Sequence, residues 1–253
     1  MPFIGETRLA VSPGMHGATG NIYCGLHEFN DMAFVLHFLR PEDHFVDIGA
    51  NVGTYTILAS GVCGSASTAI EPVASTASAL QKNVEINRLN ERVRIEVAAV
   101  GDEAGEVSVS NEQDCTNHVL GPGEAGSYEK VALQTLDDLL AGNSASLIKV
   151  DVEGFEINVL KGGERTFSDP RLKAVIMEVN GSGRRYGVED SDLLAELKKH
   201  GFEPHGYQPR ERRLVTADAI NEPGGNLIFL RDAQEVGERL RQAEPFRVMG
   251  DSI

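Results

Sequence analysis

From Phe45 to Val179, short β-branched runs alternate with longer amphipathic stretches, the pattern of parallel strands joined by crossover helices. The spacing predicts strands at Phe45–Ile48, Ser67–Ile70, Val93–Val100, Ser146–Asp151 and Ala174–Val179. Between them it predicts helices over Val52–Ala59, Ala74–Asn87 and Phe155–Thr166. The second of these carries Ala77, Leu80 and Val84 on one apolar stripe. Glu106–Ser110 and Lys130–Leu133 alternate like sheet edges, and the polar, Gly-rich stretch between them reads as a mobile surface loop. A helix over Asp190–His200 ends before Gly201, a C-cap residue type. Phe202–Tyr207 and Asn226–Leu230 then have no apolar helical pattern between them, so they are expected to pair antiparallel at the sheet edge. A polar helix and tail close the chain.

Composition narrows the class. With 253 residues and 41% hydrophobic content the chain can bury the core of one full α/β domain. Its net charge of -15 repels a phosphate backbone, so no nucleic-acid partner is expected. Cys24, Cys63 and Cys115 lie far apart without metal-ligand spacing, which reads as reduced cytoplasmic thiols. No basic leader and no long apolar run is present, so neither export nor a membrane partner is expected.

The chemistry begins at Asp47-Ile48-Gly49-Ala50-Asn51-Val52-Gly53, a Gly turn between the first strand and its helix. Glycine there lets a backbone approach a ligand closely. Glu71 falls at the end of the second strand, where a carboxylate accepts both hydroxyl hydrogens of an adenosine ribose. The bland alternative is a tight turn and one solvated acid among 38. Two features weigh against a dinucleotide: the turn lacks the third glycine of that fingerprint, and Asp47 would repel a pyrophosphate yet orient the ammonium of a methionine moiety. On these residues alone an NAD-dependent oxidoreductase and a methyltransferase both stand.

Five segments now come together: DIGANVGTYTILAS, IEP with QKNVEINRLN, LQTLDDLL, LIKVDVEGFEINVLKGG and VIMEVN. In this order they resemble the FkbM family of S-adenosyl-L-methionine (AdoMet)-dependent methyltransferases, above all over Lys149–Glu156. The resemblance implies a Rossmann-like, seven-stranded, mostly parallel sheet with an antiparallel C-terminal edge strand and helices on both faces. It implies a methyltransferase domain over 43–232, preceded by a segment, 1–42, that packs on or covers the cofactor site and followed by a helix and tail, 233–253. It further implies methylation of a hydroxyl on a small molecule, a sugar or secondary metabolite. The expected cofactor residues are Glu28, Asp47, Gly49, Asn51, Gly53, Glu71, Pro72, Asp102 and Asp151.

Ligands in open α/β sheets sit beyond the carboxyl ends of the strands, which puts Asp151, Glu153, Glu178 and Asn180 around the acceptor. Asp151 with Glu178 or Asn180 forms a hard-oxygen set for a divalent cation, Mg2+, that would lower the pKa of the acceptor hydroxyl. Alternatively Asp151 positions the methionine amine and Glu178 is structural. For a metal-free mechanism, His118 in the loop and His205 on the edge strand are the candidate bases, each weighed against a merely solvated histidine. Arg184, Arg185 and Tyr186, like Arg210, Arg212 and Arg213, read as solvated loop residues rather than acceptor contacts. A catalytically silent AdoMet-binding partner subunit is the third reading, and the acidic rim argues against it. Related enzymes associate through sheet edges or added helices, so a homo-oligomer is a further expectation.

Overall fold

The structure, a computed structural model, describes residues 1–11, 15–111, 117–121, 124, 126–216 and 225–253. Two helices, α1 (His16–Cys24) and α2 (Phe29–Phe38), precede the sheet. α2 is apolar almost all round, and Met32 through Phe38 are buried. Its end comes at Leu39-Arg40-Pro41. Arg40 folds its guanidinium back onto the carbonyls of His37, Phe38 and Leu39, satisfying acceptors that the next helical turn would have used.

The alternating core then begins with β1 (His44–Ile48), α3 (Thr54–Ile57) prolonged by a π-helical turn, β2 (Ala66–Ile70) and α4 (Ala74–Ile86). Next come β3 (Val93–Glu96), β4 (Ala99–Val100), β5 (Gly105–Ser110), β6 (Tyr128–Gln134) and α5 (Leu136–Leu140). β7 (Leu147–Val150), α6 (Glu156–Gly162), α7 (Glu164–Ser168), β8 (Ala174–Val179) and α8 (Asp190–Lys199) follow. The chain finishes with β9 (Glu203–Gln208), β10 (Arg213–Thr216), β11 (Gly225–Leu230), α9 (Ala233–Arg241), β12 (Arg247–Val248) and β13 (Asp251–Ser252).

The main sheet has the order β10-β9-β11-β8-β7-β1-β2-β3. The run β8-β7-β1-β2-β3 is parallel, and β11 pairs antiparallel with both β8 and β9. Two expectations are corrected here. The sheet has eight strands rather than seven, and the antiparallel strand β11 lies inside it, while β10 forms the edge. Arg213–Thr216 follows directly on the charged run Arg210-Glu211-Arg212, which hides its strand pattern in the sequence, and its hairpin with β9 makes it a strand.

Val93–Val100 is also two strands. β3 stays beside β2, but β4 leaves the main sheet to join β6 and β5 in a separate three-stranded sheet. Part of the stretch expected to be a loop, including Cys115, falls outside the described residues, whereas Val109 and Val119 form a bridge beside that small sheet.

Period-two alternation in the central strands divides the core. Phe45, Leu147, Ile176 and Ile228 face α2 and α9 in one cluster. Val46, Ile48, Ile148, Val150 and Met177 face Leu160, Phe167, Leu193 and Leu197 on the other side. Each fully buried Phe or Leu contributes about 1.5–3 kcal/mol relative to exposure, which is why these strands tolerate no polar face. The carboxylates and the ammonium that these strands do carry, Asp47, Lys149 and Glu178, lie near the carboxyl ends, where the site is. Among the described residues no helix is long and apolar enough to cross a membrane.

Candidate functional site

A cavity of about 310 Å³ opens beyond the carboxyl ends of β1, β2, β7 and β8. Parallel pairing forces this arrangement: Ile48 is level with Ile70 and Val150, so the segments that follow all emerge on one rim.

The turn after β1 is set by packing as well as by any ligand. Gly49 has φ 77°, and a Cβ there would lie 1.8 Å from the Asp151 carbonyl oxygen. Gly53 has φ 86°, and a Cβ there would lie 2.2 Å from Leu80 Cδ1 on α4. Both glycines are thus required by close approach to the chain itself, in keeping with the tight-turn alternative, whatever a ligand adds. Gly49 and Asn51 still line the cavity. Asn51 adopts φ 49°, and its N–H donates to Glu71 Oε2 at 2.9 Å, while Val73 N–H donates to Oε1 at 2.9 Å. Glu71 thus ties two strand ends together and keeps a lone pair on each oxygen for a ligand. Burial pushes its carboxyl up to about 7 against the pull of those two N–H groups. Pro72, Ala98, Ala99 and Val109 make the apolar wall beside it.

At the centre lie three charged groups. Asp47 on β1 is level with Lys149 on β7 and accepts a hydrogen bond from Thr56 Oγ1 at 2.6 Å. Burial raises the Asp47 carboxyl above its usual range, opposed by Lys149. The Lys149 ammonium sits 2.7 Å from Asp151 Oδ2 and 4.8 Å from the centre of the Tyr55 ring. Burial alone would lower its pKa, but Asp151, Glu28 and Asp47 together outweigh that and raise it.

The far end is acidic. Asp151, Glu153 and Glu178 each offer a carboxylate oxygen, all within 4.8 Å of one another. Glu178 Oε2 is buried and has no hydrogen-bond partner among the described residues. Burial, then the charges of Asp151 and Glu156, push Glu153 up to about 7, and burial with Asp151 and Glu153 pushes Glu178 up to about 8. Carboxylates so placed resist sharing the space unless a cation or protons enter it. His118, itself buried, lines the same end with Nε2 2.8 Å from Glu124 Oε1.

Of the residues singled out in the sequence, Glu28, Asp47, Gly49, Asn51, Glu71, Pro72, His118, Asp151, Glu153 and Glu178 line one cavity, while Gly53 packs against Leu80 behind the turn. Three others do not come there. Asp102 is exposed beyond β4 and accepts from Asn158 Nδ2 at 3.2 Å, because β4 has turned into the small sheet. Asn180 is exposed and caps its own turn by accepting from Ser182 N–H. His205 sits on β9 beyond β11, with Nδ1 2.9 Å from the Glu203 carbonyl oxygen, since β11 is inserted between it and β8.

Arg185 donates to the carbonyl of Glu153 at the cavity, whereas the other arginines are engaged elsewhere: Arg184 with Glu189, Arg210 with Asp251, Arg213 with Gln208, and Arg212 with the carbonyls of Ala243 and Ile253. Tyr186 donates to the Val119 carbonyl. Cys24 and Cys63 are free thiols. Residues that the sequence reading passed over are Met32, Tyr55, Asn117 and the alanines of the apolar wall. Met32 and the alanines carry no chemical signal, and Tyr55 and Asn117 belong to no motif that would mark them. Asn226, which holds Glu28, belongs to none either.

The model of the methyltransferase FkbM domain matches residues 47–204. The 31-O-demethyl-FK506 methyltransferase FkbM of Streptomyces tacrolimicus is 28% identical over 211 residues, covering 69% of this chain and 78% of that protein. The crystal structure of precorrin-6y C5,15-methyltransferase from Geobacter metallireducens GS-15 matches with a TM-score of 0.50 at 11% identity, covering 90% of this chain and 97% of that one. That likeness supports the fold alone. The family match takes in the Gly turn, Glu71 and the run from Lys149 to Glu156, the segments that build the cavity, and the chain belongs to the FkbM family of methyltransferases.

Proposed function

We propose that the protein transfers a methyl group from AdoMet to a hydroxyl of a small molecule, a sugar or secondary metabolite. The observation that carries this reading is one cavity with Glu71 and an apolar wall at one end and Asp151, Glu153, Glu178 and His118 at the other. Glu71 accepts the ribose hydroxyls, and Ala98, Ala99 and Val109 take the adenine. Asp47 and Glu28, beside Lys149, hold the methionine end by its ammonium. AdoMet when bound supplies a methyl group already activated by its sulfonium, so alignment and loss of one proton are what the chain must provide.

The hydroxyl acceptor lies against the acidic triad. Its proton passes to His118, whose ring Glu124 orients. The donor set, three hard oxygens with one buried oxygen unpartnered among the described residues, fits a divalent cation such as Mg2+. Such a cation would lower the pKa of the acceptor hydroxyl. The O-methyl specificity named for the Streptomyces relative supports a hydroxyl acceptor. A net charge of -15 and the acidic lining support a small molecule over nucleic acid.

The test is methyl transfer from labelled AdoMet to a panel of hydroxylated sugars and macrolide- or polyketide-type alcohols, with products read by mass spectrometry and in the presence of a chelator. O-methyl products that vanish with the chelator and return with Mg2+ support the whole reading. Products formed undiminished in the chelator remove the cation, and methylation at nitrogen or carbon alone overturns the hydroxyl acceptor.

A further inference from the structure

Glu153 is a non-glycine residue held at φ 55°, in the left-handed region that L side chains adopt reluctantly. Nothing about its own side chain explains that conformation. The explanation lies three residues on. Glu156 is 1% exposed, and its Oε1 accepts the N–H of Val152 at 3.2 Å and of Gly154 at 3.1 Å, the two amides that flank Glu153. Arg185 donates to the Glu153 carbonyl at 3.2 Å from the other side.

Glu156 opens α6, but it is not a cap in the ordinary sense. A capping side chain accepts from amides two or three positions on, inside its own helix, whereas Glu156 reaches back to amides ahead of the helix. We infer that Glu156 is a positioning residue of the acceptor site: its buried carboxylate clamps the turn after β7 so that Glu153 is delivered, left-handed, to Asp151 and Glu178. The inference rests on the reading of that triad as the acceptor end. Strain of this kind persists only where surrounding contacts over-determine it, and the clamp supplies those contacts.

Three variants test this. Glu156→Met fills the space without an acceptor, Glu156→Gln restores an oxygen acceptor without the charge, and Glu153→Gly removes the need for a clamp, since glycine adopts the left-handed region freely. In Glu156→Met, amide exchange of the 151–155 segment should accelerate at least tenfold and kcat should fall at least tenfold, while the Kd for AdoMet stays within threefold. Glu156→Gln should recover both. A kcat within threefold of wild type in Glu156→Met, or no recovery in Glu156→Gln, overturns the proposal.

Thermal unfolding adds an arm that needs no acceptor. Glu156→Met should lower Tm by less than half as much in the Glu153→Gly background as in wild type, because the two residues act on one turn. An equal drop contradicts the clamp. Should Glu156→Met fold only in the Glu153→Gly background, that is the same positive result, and failure to fold in both contradicts it. If wild type methylates no acceptor, the function reading fails, and the exchange and unfolding arms still decide whether Glu156 holds the turn.

Discussion

Asn226 on β11 donates through Nδ2 to Glu28 Oε1 at 2.8 Å, and on its own strand it stands level with Glu178 of β8. One amide therefore fixes an acid from the segment ahead of the sheet beside the strand that carries the acceptor-end acid. Asn226→Ala should weaken AdoMet binding by about 1 kcal/mol, the ordinary worth of a hydrogen bond that orients a charged group. Calorimetric titration measures it. Unchanged affinity would remove Asn226 and Glu28 together from the cofactor site.

Glu71 predicts a pH dependence with two opposite signs. Its carboxyl titrates near 7 in the folded protein, against 4.5 as its ordinary value. Between those values the folded state binds more protons than the unfolded one, so the stability of the cofactor-free protein from this group falls as pH rises from 4.5 through 7. His37, pushed down to about 4 mainly by burial, acts the other way, but its effect is complete by about pH 7. AdoMet binding should instead tighten with pH through about 7, because the ionised carboxylate is the better acceptor for ribose hydroxyls. Glu71→Gln should flatten that rise, while Glu71→Ala should cost about 1–3 kcal/mol of affinity. A pH-independent Kd in wild type would exclude the ribose contact.

The glycines of the turn should rank by what their missing Cβ would strike. In Gly49→Ala the new atom meets backbone, the Asp151 carbonyl oxygen at 1.8 Å. In Gly53→Ala it meets the tip of Leu80, which can swing aside. Denaturant unfolding should show a loss of about 3 kcal/mol or more for the first and a clearly smaller one for the second. The reverse order would mean that the turn is shaped by the ligand rather than by the strand beside it.

Much of this architecture was legible in the chain. The parallel strands read because their residues are apolar on both faces, and Glu71 and Asp151 read because a parallel strand must end at the ligand rim. β10 did not, since Arg213–Thr216 becomes a strand only through a partner. Asp102 was misplaced for a related reason: the break between β3 and β4 is a change of sheet, which period-two alternation does not register. His205 and Asn180 depended on strand order and turn geometry, which spacing leaves open. Tyr55, Met32 and Asn226 reach the site through tertiary packing and carry no local signature at all.

Lys149 is the cation that permits Asp47 and Asp151 to share the centre of the site. Lys149→Met should leave both carboxylates uncompensated and lower stability by about 3 kcal/mol near neutral pH. For a chain of this size that is a Tm drop of about 6–12 °C, readable by thermal unfolding. A Tm within about 2 °C of wild type would show the pair to be energetically idle.

Whether this cavity holds AdoMet is decided by calorimetric titration of the protein with AdoMet, its demethylated product S-adenosyl-homocysteine and NAD. One site per chain is expected for AdoMet and for the demethylated product, weakened in Glu71→Ala, with no heat from NAD. Saturable NAD binding with no response to AdoMet would contradict an AdoMet site.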